Sequence, residues 1–267
     1  MSVGMSGAGL EVSSAWVALG AGRQVPEVSG PGSVGPVAST GKVAVLAALA
    51  TAFDRGELDP TESLPVPHTH RVGGTGLLQA MSVSSLSLTD LAILTAGVSD
   101  NVATNMIIRR LGIAAVGEHL ARCGVPDVAV LDVVRDHRDA TCPPAFAVGT
   151  AEGLCRMMAS LGAGSGITPQ ARSVLLGWMR HNQDRAWVPD AFAAAPPGLE
   201  VINKTGTDTG VLADVGLVLG GVVDLAYAVV ARWSRDDGVN HARAGSAFRE
   251  LGADLLALAT GVARPGR

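Results

Sequence analysis

After Pro196–Pro197–Gly198 the chain changes its rhythm. "LEVINKTG", "VLADVGLVLG" and "VDLAYAVVARW" are three short runs rich in valine, separated by Gly-rich or charged turns. Such runs read as strands of an antiparallel meander. At the other end, "SAWVALGAGRQVPEV" reads as a strand, a turn at Gly20–Gly22 and a second strand. Everything between is helical in pattern, and Asn240 to Thr260 closes the chain as an amphipathic helix. The two ends can therefore share one sheet while the middle forms a helical insert.

The insert opens, after the loop "GPGSVGP", with a segment from Ser39 to Arg55 that is apolar nearly all round: Val43, Val45, Leu46, Leu49 and Phe53. A helix of that kind is buried at a domain centre, and Gly56 is placed to end it. "LTDLAILTAGV" follows the Pro-rich "DPTESLPVPHTH", with Thr89 as its expected N-cap. "NVATNMIIRRLG" and "AAVGEHLARCG" read as helices ending at Gly112 and Gly124, and two more are opened by threonines in "TAEGLCRMMASLGAG" and "TPQARSVLLGWMRHN".

Composition excludes several classes of function. The 267 residues are 48% hydrophobic, ample for a large core. No apolar run reaches the length of a membrane span, since Val211 to Val230 is broken by Asp214, Gly220, Gly221 and Asp224. A net charge of −4, aromatics at 3% and the lack of a basic block argue against nucleic acid as a partner. "MSVGMSGAGLEVSSAW" lacks a positive stretch followed by an apolar one, so a cytoplasmic location is expected. Cys123, Cys142 and Cys155 sit at no ligand spacing and suit free thiols in a reducing compartment. His68-x-His70 has no third ligand at useful spacing, so neither a metal nor any other cofactor is expected.

Three short motifs remain: Ser39-Thr-Gly-Lys42, Ser99-Asp100-Asn101 and Lys204-Thr205-Gly206. Each alone is weak. All three in this order arise by accident in roughly one chain in several hundred at average residue usage. Their places in the pattern also matter, because Ser39 opens a buried helix, Ser99 lies in a break between two helices and Lys204 ends a strand.

A serine hydroxyl needs a base before it is a useful nucleophile. Residues three apart on a helix share a face, so Lys42 lies within reach of Ser39. Burial and a second cation, Lys204, would lower the basicity of Lys42 enough for it to act as that base. The plain alternative is a serine cap followed by a solvated lysine. Asp100 is placed to cap the following helix, leaving Ser99 and Asn101 free to face a cleft, Ser99 as proton relay and Asn101 as partner of an acyl amide. The alternative is an ordinary Ser-Asp-Asn turn. Lys204 offers a cation to a substrate carboxylate or to the Ser99 hydroxyl, Thr205 a hydrogen bond, and Gly206 an open approach to the backbone. The N–H groups of Ser39 and Thr207 could form an oxyanion hole. The alternative is a charged strand end and a turn.

On these residues the chain resembles the class A β-lactamase-like serine hydrolases of the penicillin-recognising superfamily. "ASTGKVAVLAALATAFDRGELD", "SLTDLAILTAGVSDNVATNMIIRRLG" and "NKTGTDTGVLADVGLV" carry the likeness over most of its length. The resemblance implies an α/β plus all-α architecture: a five-stranded antiparallel sheet flanked by helices, with a helical insert. Residues 1–36 and 199–267 would form the α/β lobe and residues 37–198 the helical lobe, as one catalytic unit. It implies Ser39 as nucleophile, Lys42 as general base, Ser99 and Lys204 as further catalytic groups, and Asn101, Thr205, Gly206 and Thr207 on the substrate.

One departure concerns turnover. Efficient class A enzymes carry a Glu-x-x-Leu-Asn stretch between the second and third motifs. Here the corresponding "LDVVRDHRDATCPPAFAVG" holds no glutamate, and Asp136 is the positional substitute as deacylation base, beside the alternative of a surface charge cluster with Arg135 and Arg138. The expected substrate is a small amide, lactam or ester with a carboxylate near the scissile carbonyl, acted on by a monomer or weak homodimer. An intracellular acyltransferase or esterase, or an acyl-binding protein that does not turn over, are the rival readings.

Overall fold

The structure, a computed structural model, describes residues 9–20, 25–67, 71–234 and 238–262. In chain order its elements are β1 (Leu10–Ala18), β2 (Glu27–Ser29), β3 (Gly35–Pro36), α1 (Lys42–Asp54), β4 (Ser63–Pro65), β5 (Ser85–Ser87), α2 (Leu88–Gly97), α3 (Asn101–Leu111) and α4 (Ile113–Arg122). There follow β6 (Ala129–Val130), β7 (Ala147–Gly149), α5 (Ala151–Ala163), α6 (Pro169–Met179), β8 (Glu200–Asp208), β9 (Val211–Leu219), β10 (Leu225–Trp233) and α7 (Gly238–Thr260).

The sheet runs β2-β1-β10-β9-β8, antiparallel throughout. β1 pairs with β10 from Leu10↔Trp233 to Ala18↔Leu225, so the two ends of the chain are joined at the sheet's centre. The strands look continuously apolar because both faces are covered. Along β10, Ala226, Ala228 and Val230 face the core shared with α1 and α5, while Leu225, Tyr227, Val229 and Ala231 face the core under α7. β8 is left as an edge strand, and its outer side carries the third motif.

α1 is the centre of the helical part. Every residue from Lys42 to Ala52 is buried, and α2, α3, α4 and α6 surround it. The helix begins later than expected: Ala38–Gly41 is a 3-10 turn, and Lys42 is the first residue of the α-helix. The cap of α2 is Ser87, whose side chain accepts from the Asp90 N–H, not Thr89, whose hydroxyl donates to the Pro60 carbonyl. The expected turn at residues 20–22 and the pair His68 and His70 lie partly or wholly outside the described residues. The small ladders β3-β7-β6 and β4-β5 consist of strands of two or three residues, too short for alternation to reveal.

Asp100 holds the approach to α3 together. Its Oδ1 caps the helix by accepting from Ala103 N–H at 2.9 Å, and its Oδ2 accepts from Leu77 and Leu78 N–H, both at 2.7 Å. It is fully buried. Gly76 packs on it at φ +119, where an added Cβ would lie 2.4 Å from the Asp100 Cγ, so only glycine fits. One carboxylate thus fixes both a helix start and the loop that walls the cleft. Among the described residues no helix is long and apolar enough to cross a membrane, and the three cysteines are free.

Asp100→Ala removes a cap and strands the Leu77 N–H and the buried Leu78 N–H, and is expected to cost about 2–4 kcal/mol. Denaturant midpoints of the two proteins measure this.

Candidate active site

The turn that presents Ser39 is strained and clamped. Ala38 adopts φ 47, a left-handed conformation that a residue with a Cβ holds only when its surroundings enforce it. Val37 N–H donates to the Ala147 carbonyl at 3.2 Å, and the Thr40 hydroxyl donates to the Val37 carbonyl at 2.7 Å. The Arg232 guanidinium donates to the carbonyls of Ser33, Gly35, Pro36 and Gly149, at 2.8–3.1 Å. On the other side β8 presses directly against the turn. A Cβ on Gly206 would stand 2.7 Å from Ser39 N and 2.8 Å from the Val37 carbonyl oxygen, so a side chain there would push the turn away.

Ser39 lines two adjoining cavities. One, of about 330 Å³, is bordered by Thr75, Ser99, Asn182, Asp184, Lys204, Thr205 and Thr207. The other, of about 360 Å³, is bordered by Gly73, Thr75, Asn101, Arg135, Asp136 and Thr207. All three motifs therefore meet at one serine, and Asp136 lies on the same cleft. A cleft of this size suits a small molecule.

Lys42 is 0% exposed. Its Nζ bonds the Ser99 carbonyl at 2.7 Å, the Ser99 hydroxyl at 3.1 Å and Asn101 Oδ1 at 2.7 Å. Burial, and next the charge of Lys204, hold the Lys42 amine well below ordinary lysine basicity, against a smaller opposite pull from Asp100. The Ser99 carbonyl also accepts from the Thr75 hydroxyl at 2.8 Å, and these bonds hold Ser99 at φ 56. Asn101 is not free, as the motif alone suggested: Oδ1 accepts from Lys42, and Nδ2 donates to the Gly73 carbonyl at 2.8 Å. Only its edge borders the cleft.

Lys204 is also buried, and burial lowers it to about 8, against the opposing charges of Asp184 and Asp214. It does not hydrogen-bond Ser99. Its Nζ donates to the Thr205 carbonyl at 2.8 Å, and the Thr205 hydroxyl donates to Asp184 Oδ2 at 2.7 Å. Beneath them Asp214 accepts from Asn203 and Tyr227 at 3.1 Å and from Val188 N–H at 3.2 Å. Burial pushes that carboxyl up to about 7 in spite of these donors. Asp136 is exposed, and its Oδ1 accepts from Gly73 N–H at 2.8 Å. The charge cluster it was weighed against centres on Asp132, which binds both Arg135 and Arg138. Among the described residues no group of three or more His, Cys, Asp or Glu could hold a metal.

Four contributors were not singled out from sequence. Asp214 had a signal, as a lone acid inside an apolar strand. Thr75, Asp184 and Arg232 had none, since each works through contacts far away in the chain.

Comparison with known proteins agrees with this fold. The model described as "Beta-lactamase enzyme family" matches residues 10–259. A "Beta-lactamase" of Rhodobacter capsulatus is 29% identical over 152 residues, and the match spans 54% of this chain and about half (49%) of that protein. Among solved structures, the beta-lactamase from Sphaerobacter thermophilus DSM 20745 superposes with a TM-score of 0.81 at 24% identity, covering 92% of this chain and 91% of the other. PBP-A does so at 0.81 and 24%, covering 96% and 92%. A PBP-A mutant solved as an acyl-enzyme complex with penicillin-G gives 0.79 and 24%, over 94% and 90%. At these identities the structures speak for the fold.

Asp214 provides a pH test. Its folded value lies above that of an unfolded aspartate, about 4. Its protonated form therefore stabilises the fold fully below pH 4, and that stabilisation is lost as pH rises to about 7. The thermal midpoint of the wild type, relative to Asp214→Asn, should fall steadily across that window.

Proposed function

The chain belongs to the beta-lactamase enzyme family, and on that premise we propose that it is a serine hydrolase of the class A type, working through an acyl-serine on Ser39. The observation that carries this reading is the convergence of the three motifs on one clamped serine, beside two buried lysines of reduced basicity.

Each residue has a part in the proposed reaction. Lys42, in the neutral form that its burial favours, takes the proton of Ser39 as the serine Oγ bonds to the carbonyl carbon of the donor. The N–H groups of Ser39 and Thr207 receive the developing oxyanion. The scissile C–N or C–O bond then breaks, and Ser99, already bonded to Lys42 Nζ, passes a proton to the leaving group and regains one from the lysine. Lys204 sets the potential around Ser99 and Ser39 from beneath. Thr205, Gly206 and the edge of Asn101 border the bound substrate. β-Lactams are the default donors within this class.

Water must then release the acyl group. Asp136 is the candidate base in the cleft, through Oδ2, since Oδ1 is bonded to Gly73 N–H. A short carboxylate tied on one side is a poor substitute for a free glutamate, which favours rapid acylation and slow release. That same feature supports the second reading, in which an amine or alcohol acceptor removes the acyl group faster than water does.

Intact mass measurement with a penicillin should show a single adduct that Ser39→Ala abolishes. Lys42→Arg, always protonated, should slow acylation by about 10²–10⁴-fold. Asp136→Asn should lengthen the life of the adduct. A folded protein that gives no adduct with any activated acyl donor refutes the assignment.

A further inference from the structure

A second cavity plays no part in the proposed reaction. It has a volume of about 490 Å³ and lies between the C-terminal part of α1, the start of α2 and one face of α6. Its walls are largely apolar, with Ala50 and Phe53 from α1 facing Ala171, Val174 and Trp178 from α6. Ala50 lies about 12 Å along the helix axis from Lys42, so the cavity is separate from the Ser39 cleft. It is larger than either cavity at Ser39 and of a size that takes a small molecule.

Gly177 keeps one wall of this cavity open. It lies within α6 at a φ that any residue can adopt, and a Cβ there would meet no atom within 4 Å. Glycine is less stable than alanine inside a helix. Neither a special backbone conformation nor a packed neighbour requires it here. What the missing side chain provides is space.

The lining also sets a charge preference. Phe53 and Trp178 meet edge to face, with ring centroids 5.8 Å apart. Asp54, exposed at the rim, is the one charged residue among the described lining. Its Oδ2 accepts from the Thr168 hydroxyl at 2.8 Å, which leaves Oδ1 to a ligand. The neighbouring cations are turned to other groups. Arg55 pairs with Glu57 at 3.7 Å, and Arg172 Nε donates to the Leu161 carbonyl at 2.9 Å. A carboxylate oxygen beside two aromatic rings attracts an ammonium group and repels an anion.

We infer that this cavity is a second ligand site, independent of the acyl-serine chemistry, for small amphipathic cations: an apolar body the size of one or two rings, carrying one ammonium group. The body lies against Phe53, Val174 and Trp178 in the space that Gly177 leaves, and the ammonium group faces Asp54.

1-Naphthylmethylamine, protonated at neutral pH, and the uncharged 1-naphthylmethanol have nearly the same shape. Calorimetric titration of the full chain with each reads the site without any acyl donor. The amine is expected to bind once per chain with a dissociation constant of about 0.05–2 mM. The alcohol is expected to bind at least threefold more weakly at low ionic strength, and less so in high salt. Gly177→Leu fills the cavity and is expected to weaken the amine at least tenfold. Asp54→Asn, which still accepts from Thr168, is expected to level the two probes. If Gly177→Leu does not fold, the Asp54→Asn comparison decides alone. No binding of the amine at about 5 mM, binding that a folded Gly177→Leu leaves intact, equal affinity for the two probes, or a preference that survives Asp54→Asn each overturn the inference.

Discussion

A lysine amine with no access to water holds this molecule's functional parts in register. Lys42 begins the central helix, and its Nζ is bonded to two residues 57 and 59 positions further on. Burying an amine is costly unless oxygens replace its water, and here the Ser99 carbonyl and hydroxyl and the Asn101 amide oxygen do so. That requirement explains the backbone around it. Ser99 must turn its carbonyl inward, which it does at a positive φ, and Asn101 must point down toward the lysine, not outward. Asp100 then secures the arrangement from the far side by binding the loop that contains Leu77 and Leu78.

The second constraint is distance. The sheet edge and the serine turn come close enough for Gly206 to lie within van der Waals reach of Ser39 N. Close backbone approach leaves no room for a side chain, but it allows N–H groups of two separate elements to face one point. The cleft is thus assembled from a helix start, an interhelical break and a strand edge, which a rigid sheet and a fully buried helix hold apart at fixed spacing. Burial lowers the basicity of both Lys42 and Lys204, and the charge of Lys204 lowers Lys42 further. The same burial raises the Asp214 carboxyl to about 7, which reduces the negative charge under Lys204 near neutral pH without removing it.

Much of this was legible in the chain. The valine-rich meander, the apolar helix after Ser39 and the capping role of Asp100 follow from period and residue type, and the structure has all three. The 3-10 turn at Ser39 was not legible, because a helix cap and a tight turn favour the same small residues. Ser87 and Thr89 are both good caps, and only the path of the preceding strand selects the first. The bonds of Asn101, Lys204 and Thr205 are not legible for another reason. Sequence motifs name side chains that can face a cleft, but a buried donor satisfies itself with whatever oxygen is nearest. Asp184 sits 21 residues from Thr205 in a stretch without pattern, so its effect on that hydroxyl was invisible until the fold joined them.

Arg232 shows how late in the life of the polypeptide the serine turn is completed. Its guanidinium gathers the carbonyls of Ser33, Gly35 and Pro36, almost two hundred positions earlier, and that of Gly149, 83 positions earlier. During synthesis the segment leading to Ser39 leaves the ribosome long before the strand that will brace it. A nascent chain therefore carries Ser39 in an unbraced turn until β10 has been translated. Contacts of such high sequence separation also slow folding, which ties the bracing of the Ser39 turn to the closure of the sheet.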